Sequence, residues 1–306
     1  MNNPEEKDVR IIEDNEITLS DLVSVLLKKK LFIISLSLIS TFVGISFSFF
    51  VPDTYKSTAL LTPAQQSSGG ISSQFSSIAS FAGISLPSEG GNKTIEALER
   101  IKSYDFFSQI LSKELRIEDL MAVDSWDPET NTILYDPDLY DSATNEWVRD
   151  VSYPQTVTPS LQEAYLYYRE LLSISENKED GLITLSITHE SPFFARDLNA
   201  TIISMINKSM RDYDKKVTVN SINFLENQIQ LTKKVGVLDS LAAVQQEQIK
   251  SLTLIESNAD YIFKIIDPPI SPEEKDGPLR PLIALMSLLL GILLSVFYIL
   301  IKHYNK

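Results

Sequence analysis

The sequence has no cysteine and only two histidines in 306 residues. Without a thiol, the chain can form no disulfide, no thiolate metal site and no cysteine nucleophile. Neither His189 nor His303 has a partner at the spacing of a metal site or a catalytic triad, and we expect His189 to be a strand-end residue with satisfied hydrogen bonds. No phosphate loop of the form Gly-x4-Gly-Lys-Ser/Thr occurs, and no carboxylate pair is singled out. The sequence therefore predicts no enzyme activity, no metal and no cofactor.

Basic residues are also scarce, since 27 Lys and Arg stand against 41 Asp and Glu and give a net charge of −14. The stretch 52–281 carries the whole of this acidic excess, because acidic and basic residues cancel in the two end segments. Such a field repels nucleic acid and anionic membrane surfaces, and no basic stripe with interleaved aromatics reverses it. Nucleic acid is therefore excluded as a partner.

Charge is absent from two long apolar runs, Leu31 to Val51 and Leu282 to Ile301. Twenty helical residues span about 30 Å, the thickness of the hydrocarbon core of a bilayer, so both runs are predicted to be transmembrane helices. A cleaved signal peptide is the rival interpretation of the first run. The run is too long for that, and Phe50-Val51-Pro52-Asp53 is not a small-residue cleavage site.

Lysines precede the first run and follow the second, and these positions set the expected topology. Lys28, Lys29 and Lys30 precede the first run, and Lys302 and Lys306 follow the second. The positive-inside rule then places both termini in the cytoplasm and the stretch 52–281 outside it. We expect no cytoplasmic catalytic domain, because only five residues follow Ile301.

Small residues recur at every fourth position in both runs. This spacing lets helix backbones approach closely in lipid, so we predict that the two spans pack on each other through these faces. The alternative is that they are ordinary small residues of lipid-facing helices. The residues are Ser40, Gly44 and Ser48 in the first run and Ser287, Gly291 and Ser295 in the second.

The stretch 52–281 alternates strand and helix patterns. The predicted strands are Tyr55–Thr62, Ser173–Ser175, Gly181–His189 and Tyr261–Ile266. The predicted helices are Thr94–Leu115, with Ile95, Leu98, Ile101, Phe106 and Ile110 on its apolar face, and a helix capped by Thr158-Pro159 that ends near Leu172.

Two further patterns lie near the N-terminus. Thr18 and Asp21 resemble a capping box that opens an amphipathic helix leading into the first span. The Ser- and Gly-rich stretch 63–91 is typical of a flexible linker, but Ile71, Phe75, Ile78 and Phe81 indicate a short helix within it.

Aromatic residues and aspartates crowd the turn-rich stretch Met121 to Pro154. Trp126, Tyr135, Tyr140 and Trp147 could stack on carbohydrate, although aromatics that pack an irregular segment onto a core are the more common case. Asp136, Asp138 and Asp141 do not form a calcium loop, because the sixth and twelfth positions are not glycine and glutamate.

A long helix is predicted to start at Ser191-Pro192, since no proline or glycine follows until near Lys234. It would run for about 43 residues, or about 65 Å, which is more than a core of this size can cover. Its narrow seam of Ile222, Leu225 and Ile229 can be buried only against a returning arm or a neighbouring protomer. We predict a hairpin with its tip at Val235-Gly236-Val237, and a single unbroken rod is the alternative. The returning arm would bury Leu238, Leu241, Val244, Ile249, Leu252 and Ile255 and end near Ser257.

Together these patterns predict an α+β membrane protein in which two transmembrane helices flank an α/β base with a long helical hairpin. The expected divisions are a cytoplasmic segment 1–30, a span 31–51, a domain outside the cytoplasm 52–281, a span 282–301 and a cytoplasmic end 302–306. Within the domain 52–281 we expect a base of 52–190 and 258–266, an extension of 191–257 and a linker of 267–281.

Spaced prolines join the last predicted strand to the second span. Proline fixes φ and lacks an N–H, so these residues would stiffen the approach to the membrane. They are either a rigid linker or a surface that positions the spans against each other or against a partner. The prolines are Pro268, Pro269, Pro272, Pro278 and Pro281.

In the order of its motifs the chain resembles the Wzz-type polysaccharide chain-length determinants, also called polysaccharide co-polymerases. The resemblance covers nearly the whole sequence, and its most specific part is the last motif. The motifs are EITLSDLVSVLLKKK before the first span, AGISLP from Ala82, EALERIKSYDFF from Glu96, SWDPETNTILYDPDLYD, HESPFFARDLNA and YIFKIIDPPISPEEKDGPLRP.

The resemblance implies an inner-membrane protein whose periplasmic α/β base carries a helical extension and assembles into a ring of protomers. It also implies a membrane polysaccharide polymerase and its lipid-linked glycan as partners, with the protein setting the length of the O-antigen or related product without catalysing its synthesis. Some relatives carry a tyrosine kinase domain with a phosphate loop, and we expect no such domain here because the sequence contains no such loop. Two alternatives stay open at this point, namely an adaptor for polysaccharide export and a hydrolase or transferase with an unrecognised carboxylate site.

Overall fold

A computed structural model describes residues 25–64, 91–258 and 260–304. The chain divides into two compact units, Met1–Val51 with Pro278–Lys306 and Pro52–Gly277. We call them the helix-pair unit and the central unit. The predicted cap at Thr18 and Asp21 and the predicted helix around Ile71, Phe75, Ile78 and Phe81 lie outside the described residues.

Helices and strands alternate along the described chain. The helices are α1 Lys30–Ser48, α2 Gly91–Ile101, α3 Tyr104–Gln109, α4 Ile117–Met121, α5 Leu161–Leu171, α6 Pro192–Leu231, α7 Val235–Ser257 and α8 Arg280–Tyr304. The strands are β1 Tyr55–Pro63, β2 Val123–Asp127, β3 Thr132–Tyr135, β4 Tyr140–Asp141, β5 Glu146–Trp147, β6 Leu172–Glu176, β7 Ile183–His189 and β8 Phe263–Asp267. The fold is thus the mixed helix and strand class predicted, with apolar helices at its ends and a long helical extension.

A four-stranded antiparallel sheet in the order β6-β7-β1-β8 forms the base of the central unit. Alternate residues of β1, namely Ser57, Ala59 and Leu61, are buried, because side chains of a strand point to opposite faces in turn. The first half of α6 packs on β1 and β7. Its apolar residues are Leu198, Ile202 and Ile206, all 1% exposed or less. The sheet and α6 therefore build the core.

Polar caps fix where α5 and α6 begin. Ser191 Oγ accepts a hydrogen bond from Phe194 N, and Pro192 is the first residue of α6, as predicted. For α5 the predicted cap at Thr158-Pro159 is wrong. Ser160 Oγ accepts from Glu163 N, and the Glu163 carboxylate accepts from Ser160 N, so this capping box starts the helix later.

The predicted helix over Thr94–Leu115 is interrupted. Ser103 adopts an extended conformation and its Oγ accepts from Phe106 N, so α2 ends at Ile101 and α3 starts anew at Tyr104. A short 3-10 turn, Leu111–Lys113, follows α3. Within α2 itself, Ile95 of the predicted apolar face is 57% exposed, whereas Leu98 and Ile101 are buried. A capping serine thus outweighed the helical periodicity.

Strand limits also differ by a few residues from the prediction. Gly181 has a φ of +69° and lies in the turn before β7, which begins at Ile183. Tyr261 and Ile262 precede β8, which runs from Phe263 to Asp267. The predicted short strand over Ser173–Ser175 is the middle of β6.

Two small hairpins, β2–β3 and β4–β5, fill the turn-rich stretch. Tyr140 is 5% exposed and lies edge-on to Trp147, with ring centroids 5.4 Å apart. Trp126 is edge-on to Tyr55 at 5.5 Å. These rings therefore pack on their aromatic neighbours, as the packing interpretation predicts, and Trp147 also packs against the core. The aspartates serve turns, since Asp136 Oδ1 accepts from the backbone N–H of Asp138.

The long helix and its return form a hairpin, so the unbroken rod is excluded. The link between α6 and α7 is Thr232–Lys234, and its end residues have extended backbones. The predicted tip at Val235-Gly236-Val237 is wrong, because Gly236 lies within the first turn of α7, where it costs only about 1 kcal/mol relative to alanine. Far from the tip, Lys215 of α6 and Glu256 of α7 form an ion pair of 2.7 Å.

The seam between the two arms differs in part from the predicted one. Ile222, Leu225 and Ile229 are half-buried on α6, as expected of residues that pack on one helix. On α7, Gln245 and Gln248 are half-buried, whereas Val244 and Ile249 are 39% and 49% exposed. The other four predicted residues of this arm, Leu238, Leu241, Leu252 and Ile255, are half-buried or buried as expected, so the prediction is wrong only for Val244 and Ile249.

Candidate functional site

The proline-rich segment 268–277 runs back along the beginning of β1. Ser57 Oγ donates to the carbonyl oxygen of Ile270 at 2.7 Å. Further along, Thr54 N donates to Gly277 O at 2.9 Å, and Asp276 N donates to Thr54 O at 2.8 Å. The segment is thus a tethered return along the sheet edge rather than a free linker.

Two prolines end the strand pairing that precedes this return. The pairing of β8 with β1 runs from Phe263 opposite Pro63 to Asp267 opposite Leu60. Pro268 and Pro269 follow at once, and because neither has an N–H, they cannot continue the ladder.

The five prolines differ in their surroundings. Pro269, Pro272 and Pro278 are half-buried, whereas Pro268 and Pro281 are exposed. Pro281 lies in the first turn of α8, where a missing N–H leaves no helical hydrogen bond unmade. The segment 268–277 belongs to the central unit, and Pro278 and Pro281 belong to the helix-pair unit.

The end of the return is fixed by contacts at the start of β1. Lys275 Nζ forms an ion pair with Asp53 Oδ2. A Cβ added at Gly277 would lie 3.1 Å from Thr54 Oγ1, so glycine allows the close backbone approach seen here. The ion pair is half-exposed and contributes little stability, which leaves the backbone hydrogen bonds as the main tether.

In the helix-pair unit, α1 and α8 pack along each other through small residues. A Cβ added at Gly44 would lie 2.5 Å from Ser287 Cβ, and one added at Gly291 would lie 2.7 Å from Ser40 Cβ. Ser40 Oγ donates to the carbonyl oxygen of Ser287 at 2.8 Å. The structure therefore brings these four residues together at one crossing.

The other two small residues are buried without joining that crossing. Ser295 is 0% exposed, and its Oγ donates to Ile292 O within its own helix. Ser48 is 1% exposed, and its Oγ has no hydrogen-bond partner among the described residues. Both are consistent with a buried helix face.

The sequence analysis did not predict two of the contacts between α1 and α8. A Cβ at Gly291 would lie 2.9 Å from Ser37 Cα, and the rings of Phe32 and Tyr298 stack with centroids 5.4 Å apart. Ser37 precedes Gly44 by seven residues, so a seven-residue search would have found it. The stacking of Phe32 on Tyr298 leaves no repeat in the sequence, because it depends on how far the two helices are shifted along each other.

His189 is a buried structural residue, as expected. It is 1% exposed, its Nδ1 accepts from Ser191 N at 3.0 Å, and its Nε2 lies 2.9 Å from Asp119 O. Burial lowers the pKa of His189 to about 4. Its nearest carboxylate is Glu190, at 3.5 Å, and burial raises the pKa of that group. Across residues 25–64, 91–258 and 260–304, no group of three His, Asp or Glu side chains is placed to hold a metal ion.

The structure has two helices that are long and apolar enough to cross a membrane, Lys30–Ser48 and Arg280–Lys302. It also has a proline-rich segment that is hydrogen-bonded to the beginning of β1. Residues 15–116 match the family model described as Wzz: Chain length determinant protein. The resemblance seen in the sequence is confirmed over this stretch, which contains α1, β1 and α2.

Solved structures similar to this chain carry related descriptions. A "full-length bacterial polysaccharide co-polymerase" is 15% identical with a TM-score of 0.39, and the match covers 94% of this chain and 98% of that one. A "fragment of WzzB, polysaccharide co-polymerase from Salmonella Typhimurium" is 12% identical with a TM-score of 0.30, covering 74% and 100%. The comparison with curated proteins finds no match.

Proposed function

We propose that the protein is a non-catalytic regulator of polysaccharide chain length that works as an oligomeric scaffold beside a membrane polymerase. The observation that carries the proposal is the family match over residues 15–116, which supports a role in chain-length control. The scaffold role is supported by the long α6–α7 hairpin, because 40- and 23-residue helices extend beyond what one base can cover. The O-antigen or a related surface glycan, still linked to lipid, is the proposed product.

The proposed location is the inner membrane, with both ends in the cytoplasm and residues 52–281 in the periplasm. Support comes from the two apolar helices and from the flanking Lys28, Lys29 and Lys30. Since the chain has no cysteine, a single Tyr153→Cys change, at a 96% exposed side chain, gives a clean probe. Labelling by an impermeant maleimide before lysis of the inner membrane supports this topology, and labelling only after lysis refutes it.

We also propose that α1 and α8 pack in the membrane as they do in the structure. Gly44 with Ser287 and Ser40 with Gly291 support this, because close backbone approach is the main source of helix association in lipid. Paired cysteines at 44 and 287 should cross-link in membranes, whereas paired cysteines at the exposed positions Val43 and Met286 should not. Equal cross-linking of the two pairs would remove the support.

The function is tested on a gel ladder of surface polysaccharide from cells that lack the protein. We expect the modal cluster of lengths to disappear and to return when the full chain is restored, since a regulator changes the distribution of lengths and not the chemistry. A ladder that keeps its modal cluster would overturn the proposal. If surface polysaccharide vanishes while cell-associated precursor accumulates, the chain is an export adaptor instead.

The proline return is proposed to position the spans against each other or against the polymerase. Replacing Pro268 and Pro269 with alanine restores two N–H groups where the β8–β1 pairing now stops, and so loosens the fixed direction of the return. We expect a changed modal length at unchanged protein abundance. Pro128→Ala, at an exposed turn outside the return, should leave the ladder unaltered. An unaltered ladder in the double variant at normal abundance would argue for a mere linker.

A further inference from the structure

Four exposed lysines lie at one end of the helix-pair unit, and we call them the lysine end. Three of them are consecutive, and α1 begins at the last of the three. The fourth lies in the last turn of α8. The four residues are Lys28, Lys29, Lys30 and Lys302.

A stacked pair of rings joins the two helices beside these lysines. The ring centroids of Phe32 and Tyr298 are 5.4 Å apart, and the ring planes are inclined by 28°. Lys302 Nζ lies 5.7 Å from the centroid of the Tyr298 ring. On the other helix, Phe32 N donates to the carbonyl oxygen of Lys29 at 2.9 Å. The lysines of α1 and α8 therefore lie beside one ring stack.

No carboxylate of the described residues neutralises the lysine end. The stretches 25–51 and 278–304, which are the described part of the helix-pair unit, contain no Asp or Glu. Within residues 25–64, 91–258 and 260–304, none of the four lysines forms an ion pair. Like charges repel one another, so an anion placed among them is stabilised. The lysine end is thus suited to an anionic ligand.

The apolar neighbours of the lysines indicate that this ligand is a lipid. Leu31 follows Lys30 directly and is 76% exposed, and Ile301 precedes Lys302 directly and is 48% exposed. A phospholipid has the same order of chemistry, a charged phosphate and then acyl chains. Inorganic phosphate or an acidic peptide would match the lysines but would leave the apolar side chains uncovered.

We propose that the lysine end binds the phosphate headgroup of an anionic phospholipid, whose acyl chains lie against Leu31 and Ile301. The ammonium groups donate charge-assisted hydrogen bonds to the phosphate oxygens. In the proposed topology this lipid belongs to the cytoplasmic leaflet. The inference goes beyond the control of chain length and does not rest on it.

Binding of phosphatidylglycerol to the full chain in nonionic detergent, followed by native mass spectrometry, tests the proposal. Its Kd should be at least about tenfold lower than that of phosphatidylcholine with the same acyl chains, because only phosphatidylglycerol has a net charge. Inorganic phosphate in large excess should not displace it. Equal binding of the two lipids would mean that the lysines serve topology alone or pair with the acidic residues of 1–24. That result, or displacement by inorganic phosphate, would overturn the proposal.

Paired substitutions separate the lysine end from the general charge of the protein. Lys29→Gln with Lys302→Gln should raise the Kd for phosphatidylglycerol about 30-fold, since each lysine contributes about fivefold. Lys29→Arg with Lys302→Arg keeps both charges and should keep the affinity. Lys178→Gln with Lys264→Gln removes the same charge from exposed positions of the central unit and should leave the Kd unchanged. Equal weakening by the two glutamine pairs would contradict the proposal.

The position of the acyl chains is tested by quenching in vesicles. Because the chain has no cysteine, Leu31→Cys or Ile301→Cys can each carry a single bimane label. In phosphatidylcholine vesicles, brominated phosphatidylglycerol should quench either label at least about twofold more than brominated phosphatidylcholine at the same mole fraction. The control is Leu282→Cys, which is 52% exposed at the other end of the helix pair and should be quenched equally by both lipids. Equal quenching at 31 and 301 as well would refute the proposed site.

Discussion

Replacing Asn207 with leucine is expected to lower the free energy of unfolding of the central unit by about 4 kcal/mol. Asn207 lies on α6, is 7% exposed, and binds the chain where β8 begins. Its Oδ1 accepts from Ile262 N and Phe263 N, and its Nδ2 donates to Phe263 O, each at 2.9 Å. Leucine has a similar shape but leaves three buried backbone groups without partners, each worth about 1–3 kcal/mol.

Urea unfolding of the detergent-solubilised chain, followed by tryptophan fluorescence, measures the loss. Both tryptophans, Trp126 and Trp147, belong to the central unit, so the signal reports on it. Asn223→Leu makes the same chemical change at an exposed position of α6 and should shift stability by no more than about 0.5 kcal/mol. Similar losses of unfolding free energy in the two variants would show that the hydrogen bonds of Asn207 do not stabilise the central unit.

Asn207 also shows why part of the fold could not be predicted from the sequence. The starts of β1 and α6 depend on local patterns, alternation in one case and Ser191-Pro192 in the other, and both were found. The partners of Asn207 lie 55 and 56 residues further along the chain, beyond the reach of any periodicity. Local signals were also wrong in places, as at Ser103, whose cap interrupts a helical pattern, and at Gly236, which lies within α7 and not at the tip of the hairpin.

The candidate site, too, could be predicted from the sequence only in part. Spaced prolines and small residues are visible in a sequence, and they marked the return and the helix crossing. What holds the return, Ser57 Oγ on Ile270 O, joins residues 213 positions apart and required the structure. The seam between the two arms of the hairpin was predicted only in part, for another reason. Val244 was assigned to it by its apolar character, whereas Val244 is 39% exposed and Gln248 is half-buried.

Acid is expected to destabilise the central unit through His189. In the unfolded chain the pKa of a histidine is about 6.5, and in the folded protein burial lowers the pKa of His189 to about 4. Between these values the unfolded state binds more protons, so stability is complete above pH 6.5 and falls as the pH drops toward 4. The full difference is about 3 kcal/mol. The geometry agrees, because a proton on Nδ1 would face the N–H of Ser191 that it now accepts from.

The variant His189→Gln tests this, since glutamine can donate and accept hydrogen bonds but does not titrate. Between pH 7 and pH 4 the wild type should lose about 3 kcal/mol more unfolding free energy than the variant, as measured by urea titration at each pH. Glu190 acts in the opposite sense, because its raised pKa favours the folded state as the pH falls, but it is present in both proteins and cancels in the difference. His303 is likewise unchanged. Parallel curves for the two proteins would mean that His189 takes up its proton in the folded state as readily as in the unfolded chain, and that its burial does not govern the acid response.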